Sequence, residues 1–539
     1  MLGADAMVKC LEMEGVSTIF GYSGVAIDPF YNSILSSDIR TILVRTEQNA
    51  AHAASGLART TGQVGVCAVT SGPGATNLIT GIATAFADSI PLVCITGQVS
   101  SNLLGSDVFQ EADITGAVES FVKFSYLIKN VNDIPRVFKE AFYIASTGRK
   151  GPVLIDIPCD IQTAQISRFK YPDEVSLRTY KPTVKGHIVQ IKKVIKELEK
   201  SKRPIICAGG GVLLSRAEKD LRAFSEKYKI PVVSTMMGIG AMPTEHPMYY
   251  GMVGNNGKAY ANRAMNESDL LIMIGARAAD RAVSQPDLIT NNKVLVHIDA
   301  DSAEIGKNAW AEIPIVGDAD YIIQEFLKQE DIACEHESWI TALDSYRDTM
   351  KRVRKPNAAY VDPAMFIRKL SEKMQSDAIY VADVGQNQLW SCNNYIVREG
   401  KFLTSGGMGT MGYSVPAALG AKVGCPNKQV IAVCGDGSFQ MSMMELATMR
   451  QHKVPIKIIV LHNNCLGLVR EHQHYAYKDA YSMVDLSGSP DLEKLSMAYD
   501  LPFLRVKDMD DVDALLEKFL ASDTGMLMEC MIDPMDLVQ

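Results

Sequence analysis

The chain predicts an α/β protein built from three consecutive doubly wound, mainly parallel sheets. Three observations carry that prediction. Short β-branched runs alternate with Ala-rich helical stretches from residue 16 to about 160. The alternation restarts at Pro204 and again near Asp362, and no short-period repeat runs through the chain. At 539 residues the length suits three or four domains of roughly 150 residues each.

Met1 to Glu14 has a helix pattern and leads into the strand Ser17-Thr-Ile-Phe20. Strand-like runs follow at Thr41 to Val44, Val64 to Val69, Pro91 to Thr96 and Val153 to Ile157, with helices at Ala50 to Thr61 and Gly74 to Ala87 between them. Residues 161 to about 187 turn polar and read as a linker. The second block opens at Pro204-Ile-Ile-Cys-Ala-Gly-Gly-Gly211 and runs through Leu270 to Ile274 and Val294 to Ile298. A charged helical stretch reaches about residue 360. The third block has strands at Ala378 to Val381, Val430 to Val433 and Ile456 to Leu461. The expected domains are 1–165, 188–330 and 360–539.

A formal charge of −8 argues against a nucleic-acid surface and gives no sign of membrane attachment. No run approaches the ~18 apolar residues of a membrane span, and no secretory leader pattern is read at the N-terminus. The eleven Cys form no Cys-x-x-Cys pair, and Cys67, Cys94 and Cys434 fall inside apolar runs. They read as buried thiols in a reducing compartment, and a cytoplasmic location is expected.

The most informative segment is Ile431-Ala-Val-Cys-Gly-Asp-Gly-Ser-Phe439, followed by the apolar run Pro455 to His462 and the pair Asn463-Asn464. With Met441 to Gln451 read as a helix, two parallel strands bring Asp436 and Asn463 to one sheet edge, where open α/β sheets bind ligands. One carboxylate and one amide suit Mg²⁺ that completes its octahedron with water and diphosphate oxygens. Gly435 and Gly437 allow close phosphate approach, and Ser438 with the following helix N-terminus supplies donors. Gly-Asp-Gly by itself reads better as a capped turn; the spacing and both strand contexts together favour the metal.

Glu47 opens a helix whose first turns are small and apolar, so its neutral form would be favoured and it could donate a proton. The simpler reading is a Glu that satisfies the helix dipole. Ser71-Gly-Pro-Gly-Ala-Thr-Asn77 is a glycine turn into a helix, suited to an anion or to close packing. Thr404-Ser-Gly-Gly-Met-Gly-Thr-Met-Gly412 exposes backbone to a flat heterocycle, with Met411 as an apolar wedge.

As a set these residues resemble the thiamine diphosphate motif, and their surroundings resemble the acetolactate (acetohydroxyacid) synthase family. The matching stretches are Arg45 to His52, Val69 to Asn77, Ile95 to Gln98, Phe109 to Asp113, Thr147 to Val153 and Gly406 to Gly412, so the resemblance spans nearly the whole chain. It implies a pyrimidine-binding, a central and a diphosphate-binding domain, in a homo-oligomer with active sites at a dimer interface and a possible regulatory subunit. Glu47 would protonate the aminopyrimidine, while the Gly409 carbonyl and Met411 amide hold its edge. Asp436, Asn463 and the Cys465 carbonyl would bind Mg²⁺, with Gly437 and Ser438 on the diphosphate. Pyruvate would lose CO₂ and pass a two-carbon unit to a second 2-oxo acid, giving acetolactate. Phe109 and Gln110 match positions near the reacting centre.

The central domain of the family commonly binds FAD in a structural, non-redox role. Arg149, Gly209, Gly210, Gly211, Thr235 to Met237, Arg277, Asp280, Arg281, Asp299 and Asp318 stand where flavin contacts would fall, and loss of the flavin is the alternative. The chain departs from the biosynthetic pattern around the substrate. Val25 in Tyr22-Ser-Gly-Val25 replaces a glycine, and His472 stands where a Trp walls the second-substrate pocket. Ala278, Ala279 and Asn256 replace larger or different residues near the flavin. The turn Ser23 to Asp28 is similar to that of catabolic synthases, which lack flavin.

Three other readings compete. A related 2-oxo acid decarboxylase, or a carboligase with another acceptor, would release different products. A dinucleotide oxidoreductase lacks support, because no Gly-x-Gly-x-x-Gly with a suitably placed acid is present. A non-catalytic paralogue would not need Glu47, Asp436 and Asn463 together.

Overall fold

The computed structural model describes residues 1–283, 285–350 and 355–538. Among them lie three six-stranded sheets in which every paired strand is parallel. The first holds β1 (Thr18–Tyr22), β2 (Arg40–Leu43), β3 (Gly65–Val69), β4 (Leu92–Gln98), β5 (Phe124–Leu127) and β6 (Pro152–Pro158), in the order β2-β1-β3-β4-β6-β5. The second holds β7 (Pro204–Ala208), β8 (Val232–Ser234), β9 (Tyr249–Met252), β10 (Leu270–Ile274), β11 (Val294–Asp299) and β12 (Ile313–Val316), in the order β12-β11-β10-β7-β8-β9. The third holds β13 (Ile379–Ala382), β14 (Lys401–Thr404), β15 (Val430–Gly435), β16 (Lys457–His462), β17 (Phe503–Val506) and β18 (Met526–Met531), in the order β14-β13-β15-β16-β18-β17.

Each sheet is apolar on both faces, as parallel strands flanked by helices must be. Along β3, Val66 and Ala68 join one core while Cys67 and Val69 join another. Along β10, Leu270, Ile272 and Ile274 divide in the same way from Leu271 and Met273. Along β15, Ile431 and Val433 face one core and Ala432 and Cys434 the other.

Each sheet has a switch point where the strand order first turns back: between β1 and β3, between β7 and β10, and between β13 and β15. Crossovers leave to opposite sides at such a point, so the chain ends of the two strands open a crevice. The turns after these six strands hold the residues that matter below.

The segment after β15 differs from the helix expected over Met441 to Gln451. A short helix starts at once with Asp436–Gln440, and a second spans Glu445–His452. Between them the backbone tightens into three-residue bonds, Met441 N–H to Ser438 and Glu445 N–H to Ser442. The polar stretch after residue 160 begins with the helix Cys159–Thr163, then runs without regular elements to residue 187. Isolated bridges tie its ends, Leu2 to Gln165 and Lys185 to Gly317.

The first and third sheets meet through the helices Glu47–Thr61 and Ser414–Gly424. No helix among the described residues is long and apolar enough to cross a membrane.

Candidate active site

The crevice between β13 and β15 gathers the residues first singled out. Asp436 is the first residue of its helix, with Gly435 at the cap, and the Ser438 hydroxyl accepts from Gly435 N–H at 3.1 Å. Asn463 directly follows β16, whose register against β15 pairs Gly435 with Leu461. Both side chains are buried. Asn463 Oδ1 accepts from Cys465 N–H at 3.1 Å, while Asn464 takes a left-handed φ of 55°. The bridge to Asp485 runs through the Asn464 carbonyl and the Leu466 N–H, so neither of those bonds engages the Cys465 carbonyl.

Asp436 Oδ2 is buried without a hydrogen-bond partner. A buried carboxylate oxygen in that state is costly unless a cation satisfies it. Burial pushes the Asp436 carboxyl above its usual range. His462 Nε2 stands 3.6 Å from Oδ2, within ion-pair but beyond hydrogen-bond distance. That imidazole is itself engaged, by Glu529 at 2.5 Å and Asn464 at 2.9 Å. Glu529 in turn accepts from Arg505 at 2.5 Å. Burial alone would lower His462, but Glu529, Asn464 and Asp436 together raise it. No cluster of three or more His, Cys, Asp or Glu side chains able to cage a metal occurs among the described residues. The donor set therefore fits a hard cation that brings its other oxygens with it.

A small cavity of about 60 Å³ opens here, lined by Gly385, Gln386, Met411, Gly435, Asp436, Gly437, Ser438, Asn463, Cys465 and Gly467 among others. A Cβ on Gly437 would sit 2.8 Å from Leu466 and 3.7 Å from Met411 Cε, so the Met411 side chain overhangs this turn. Met411 belongs to the loop after β14, where Gly409 and Gly412 have φ of 70° and 86°. Asp383 accepts from Gly412, Ser414 and Val384 N–H groups at 2.8 to 2.9 Å.

Glu47 and Gln110 lie together elsewhere, at the crevice between β1 and β3. Glu47 is the first residue of its helix, after the N-cap Thr46. Its carboxylate accepts from Asn77 Nδ2 at 3.0 Å, and a Cβ on Gly74 would be 3.4 Å from it. Gly72, with φ of 57°, packs against Gln110, which itself has φ of 62°. Phe109 and Val25 project outward, each 87% exposed. Glu47 is only half-buried and borders neither cavity. Within a single chain its side chain keeps partial contact with solvent, and the helix turns fully inward only from Asn49 onward.

The third crevice, between β7 and β10, is a cleft of about 670 Å³. It is lined by Arg149, Gly210, Gly211, Met236, Met237, Asn256, Arg277, Asp280, Arg281, Asp299 and Asp318. Gly209 is not on its wall: a Cβ there would strike the Gly275 carbonyl, so this glycine serves strand-to-strand packing. Arg149 is held by Asp301 at 3.1 Å and Glu304 at 3.0 Å. Arg277 donates to the Ala87 carbonyl at 2.8 Å, capping the helix Pro73–Ala87. Burial raises the carboxyls of Asp299 and Asp318.

Sequence reasoning missed Asp383, Gly385 and Gln386. Their signal was present, since Val381-Ala-Asp-Val-Gly-Gln-Asn387 is a second strand, glycine and helix turn like that at Asp436. It also missed Glu445, a buried carboxylate that accepts from Arg45 N–H and Asn49 Nδ2 at 2.9 Å each, on either side of Glu47. Nothing local in the sequence marks that contact.

Three family descriptions match the chain. Residues 1–117 match the N-terminal thiamine pyrophosphate (TPP) binding domain of thiamine pyrophosphate enzymes, 191–327 their central domain, and 383–530 their C-terminal TPP binding domain. Among curated relatives, a probable acetolactate synthase large subunit of Methanocaldococcus jannaschii is 43% identical across 99% of this chain and 92% of its own length. The acetolactate synthase large subunit of Lactococcus lactis is 40% identical across 98% and 92%. That of Corynebacterium glutamicum is 42% identical across 96% and 84%.

Proposed function

Since the chain belongs to the thiamine pyrophosphate enzymes of the acetolactate synthase large-subunit family, we propose that it joins two 2-oxo acids. It decarboxylates pyruvate and transfers the two-carbon unit to a second one, giving acetolactate when that is pyruvate. The observation that carries the reading is Asp436 Oδ2, buried with no hydrogen-bond partner at the switch point of the third sheet, in the cavity that Asn463 and Met411 also line.

Thiamine diphosphate, when bound, supplies the carbon nucleophile and the electron sink for loss of CO₂. The chain's own residues bind and orient. Asp436, Asn463 and the Cys465 carbonyl would hold Mg²⁺, and Gly437 with Ser438 would receive the diphosphate at a helix N-terminus. The Gly409 carbonyl and Met411 N–H would hold the pyrimidine edge, with the Met411 side chain filling the bend. Glu47 would hold a proton on its carboxyl for the pyrimidine ring nitrogen. Gln110, over the Gly72 turn, would face the reacting carbon.

Two copies complete each site in this reading. Support comes from the separation of Glu47 from the Asp436 cavity within one chain, and from the outward projection of Val25, Phe109 and Met483. The large-subunit relatives further suggest a smaller regulatory partner. The central cleft supports FAD as a structural cofactor, with glycine backbone at Gly210 and Gly211 and the cations Arg149, Arg277 and Arg281 on its wall. Flavin absorbance of the purified protein tests that assignment. The eleven unpaired thiols support a cytoplasmic location.

Hybrid dimers test the active-site reading. Glu47→Gln and Asp436→Asn chains, each strongly impaired alone when thiamine diphosphate and Mg²⁺ are held at levels that just saturate the wild type, are co-expressed and assayed there for acetolactate from pyruvate. If sites are shared, one site per heterodimer keeps both residues, so about a quarter of wild-type activity returns on random two-fold pairing. No recovery would overturn the shared site, and wild-type turnover by Glu47→Gln alone would remove Glu47 from the mechanism.

A further inference from the structure

The loop Ser405–Gly412 lacks regular structure, and glycines with positive φ leave it free to adopt other shapes. Yet its two ends are held by buried carboxylates from different parts of the chain. Asp88, just past the helix Pro73–Ala87 of the first domain, accepts from Gly407 N–H at 2.7 Å. Asp383, just past β13, accepts from Gly412 N–H through Oδ1 at 2.9 Å and from Ser414 N–H through Oδ2 at 2.8 Å. Between these ends, Thr84 of the same helix meets the Thr410 hydroxyl at 2.7 Å. Thr410 N–H also reaches the Ser405 hydroxyl at 3.0 Å.

Neither aspartate has a cation within salt-bridge distance among the described residues, and both are almost wholly buried. Arg59 and Arg277 act on Asp88 only from further away. Backbone N–H groups are thus the main direct partners of these two buried acids, and all of them except the Val384 N–H on Asp383 come from the loop and the helix start that follows it. A loop that left this shape would give up the Gly407 N–H on Asp88 and the Gly412 N–H on Asp383. Met408, Gly409 and Met411 are left presented between the clamps.

We infer that Asp88 and Asp383 are positioning residues that fix the Gly406–Gly412 loop for the heterocyclic end of the cofactor. This rests on the reading that Gly409 and Met411 hold that end. It also makes the third domain's binding loop depend on a first-domain helix whose opposite end lies under Glu47, through Gly74 and Asn77. The two acids differ in detail. Asparagine at 88 keeps an acceptor for Gly407, whereas asparagine at 383 must turn its NH₂ toward at least one of the three N–H groups there, Val384 and Gly412 on one oxygen and Ser414 on the other.

The test compares two probes at saturating Mg²⁺, thiamine diphosphate and inorganic pyrophosphate, by equilibrium binding. The first needs the loop, the second only the Asp436 turn. Asp88→Ala and Asp383→Asn should each weaken thiamine diphosphate roughly tenfold or more while leaving pyrophosphate unchanged. Asp88→Asn should fall between them and wild type. Should Asp88→Ala fold poorly, Thr84→Val keeps the side-chain shape, removes the Thr410 bond and should move the same ratio by a smaller factor. Equal loss for both probes, or no loss for either, overturns the positioning role. Met411→Ala separates the two claims: if it leaves the ratio at the wild-type value, the loop does not hold the heterocycle and the underlying reading fails instead.

Discussion

A Cβ placed on Gly56 would collide with the carbonyl oxygen of Ala417, and one on Gly420 would collide with the carbonyl of Ala53. The helices that follow Glu47 and Met411 therefore touch backbone to backbone at two points. Close approach of this kind aligns a first-domain helix with a third-domain helix far more rigidly than side-chain packing would. Gly56→Ala should gain up to about 1 kcal/mol of helix propensity. The clash should outweigh that gain, at roughly 1–3 kcal/mol or more for overpacking with no side chain to yield. The expected outcome is a lowered first unfolding transition in calorimetry. A transition equal to or above wild type would show that the two helices separate freely.

His52 lies in the same helix contact, edge-on to Tyr413 at 5.3 Å, fully buried and with Nδ1 unpaired. Burial lowers it from 6.5 to about 3. The unfolded chain thus binds this proton more readily than the folded one. The stability from keeping His52 neutral is complete above pH 6.5 and is lost as pH falls toward 3, by an amount on the order of 5 kcal/mol at the limit. His52→Phe keeps the ring contact and removes the titration. Denaturant midpoints between pH 7 and 4 should fall more steeply for the wild type than for the variant. Parallel slopes would rule this out.

Much of this architecture is legible in the sequence because central parallel strands announce themselves. Val66 to Val69, Leu270 to Ile274 and Ile431 to Val433 are buried on both faces and read as unbroken apolar runs. The strands that escape notice do so for specific reasons. β5, β12, β14 and β17 are four residues long; an exposed position in β5, β12 and β17, and the half-buried Lys401 in β14, dilute the apolar signal. β18 is central, but Met526-Leu-Met-Glu-Cys-Met531 lacks β-branched residues, and its buried Glu529 makes sense only once Arg505 and His462 are alongside. The site shows the same division. Asp436 and Asn463 can be paired on paper because each ends an adjacent strand. The contacts of Asp88 with Gly407 and of Glu445 with Asn49 join residues hundreds of positions apart, and no local pattern encodes them.

Asp156 titrates in the opposite sense to His52. It sits on β6 between Thr96 Oγ1 at 2.6 Å and Gln98 Nε2 at 2.9 Å, and Gln98 also holds the Ala112 carbonyl beside Gln110. Burial raises it from 3.8 to about 7. Stability from the neutral acid is complete below pH 3.8 and is lost as pH rises through 7, approaching roughly 4 kcal/mol. Asp156→Asn should therefore be the more stable protein above pH 7, with the gain shrinking toward pH 4. A variant destabilised uniformly across that range would show that the carboxylate is instead held charged.

Asp436→Asn tests the cation through charge rather than shape. The amide keeps an oxygen at the Oδ position but removes the negative charge that draws a divalent ion. Thiamine diphosphate affinity at fixed Mg²⁺ should fall by roughly 10–100-fold, in the range seen when metal sites lose one supporting group. Raising Mg²⁺ should recover part of it. Binding that is equally strong in the variant and insensitive to chelator would mean the diphosphate is held without a metal.

His472 bears on the choice of second substrate. It lies on the helix Gly467–Tyr477, exposed within one chain and edge-on to Tyr477 at 5.9 Å. By the resemblance to the biosynthetic synthases it would stand where a Trp walls the second-substrate pocket, which would leave no large apolar face to reward the extra methylene of 2-ketobutyrate. One methylene in a fitted pocket is worth only about 1–3 kcal/mol, and an imidazole beside solvent should supply little of it. With pyruvate and 2-ketobutyrate competing at equal concentration, acetolactate and acetohydroxybutyrate should form in comparable amounts. His472→Trp should shift the ratio toward acetohydroxybutyrate. A large acetohydroxybutyrate excess from the unmodified chain would place the selecting wall elsewhere, with Val25 the next residue to test.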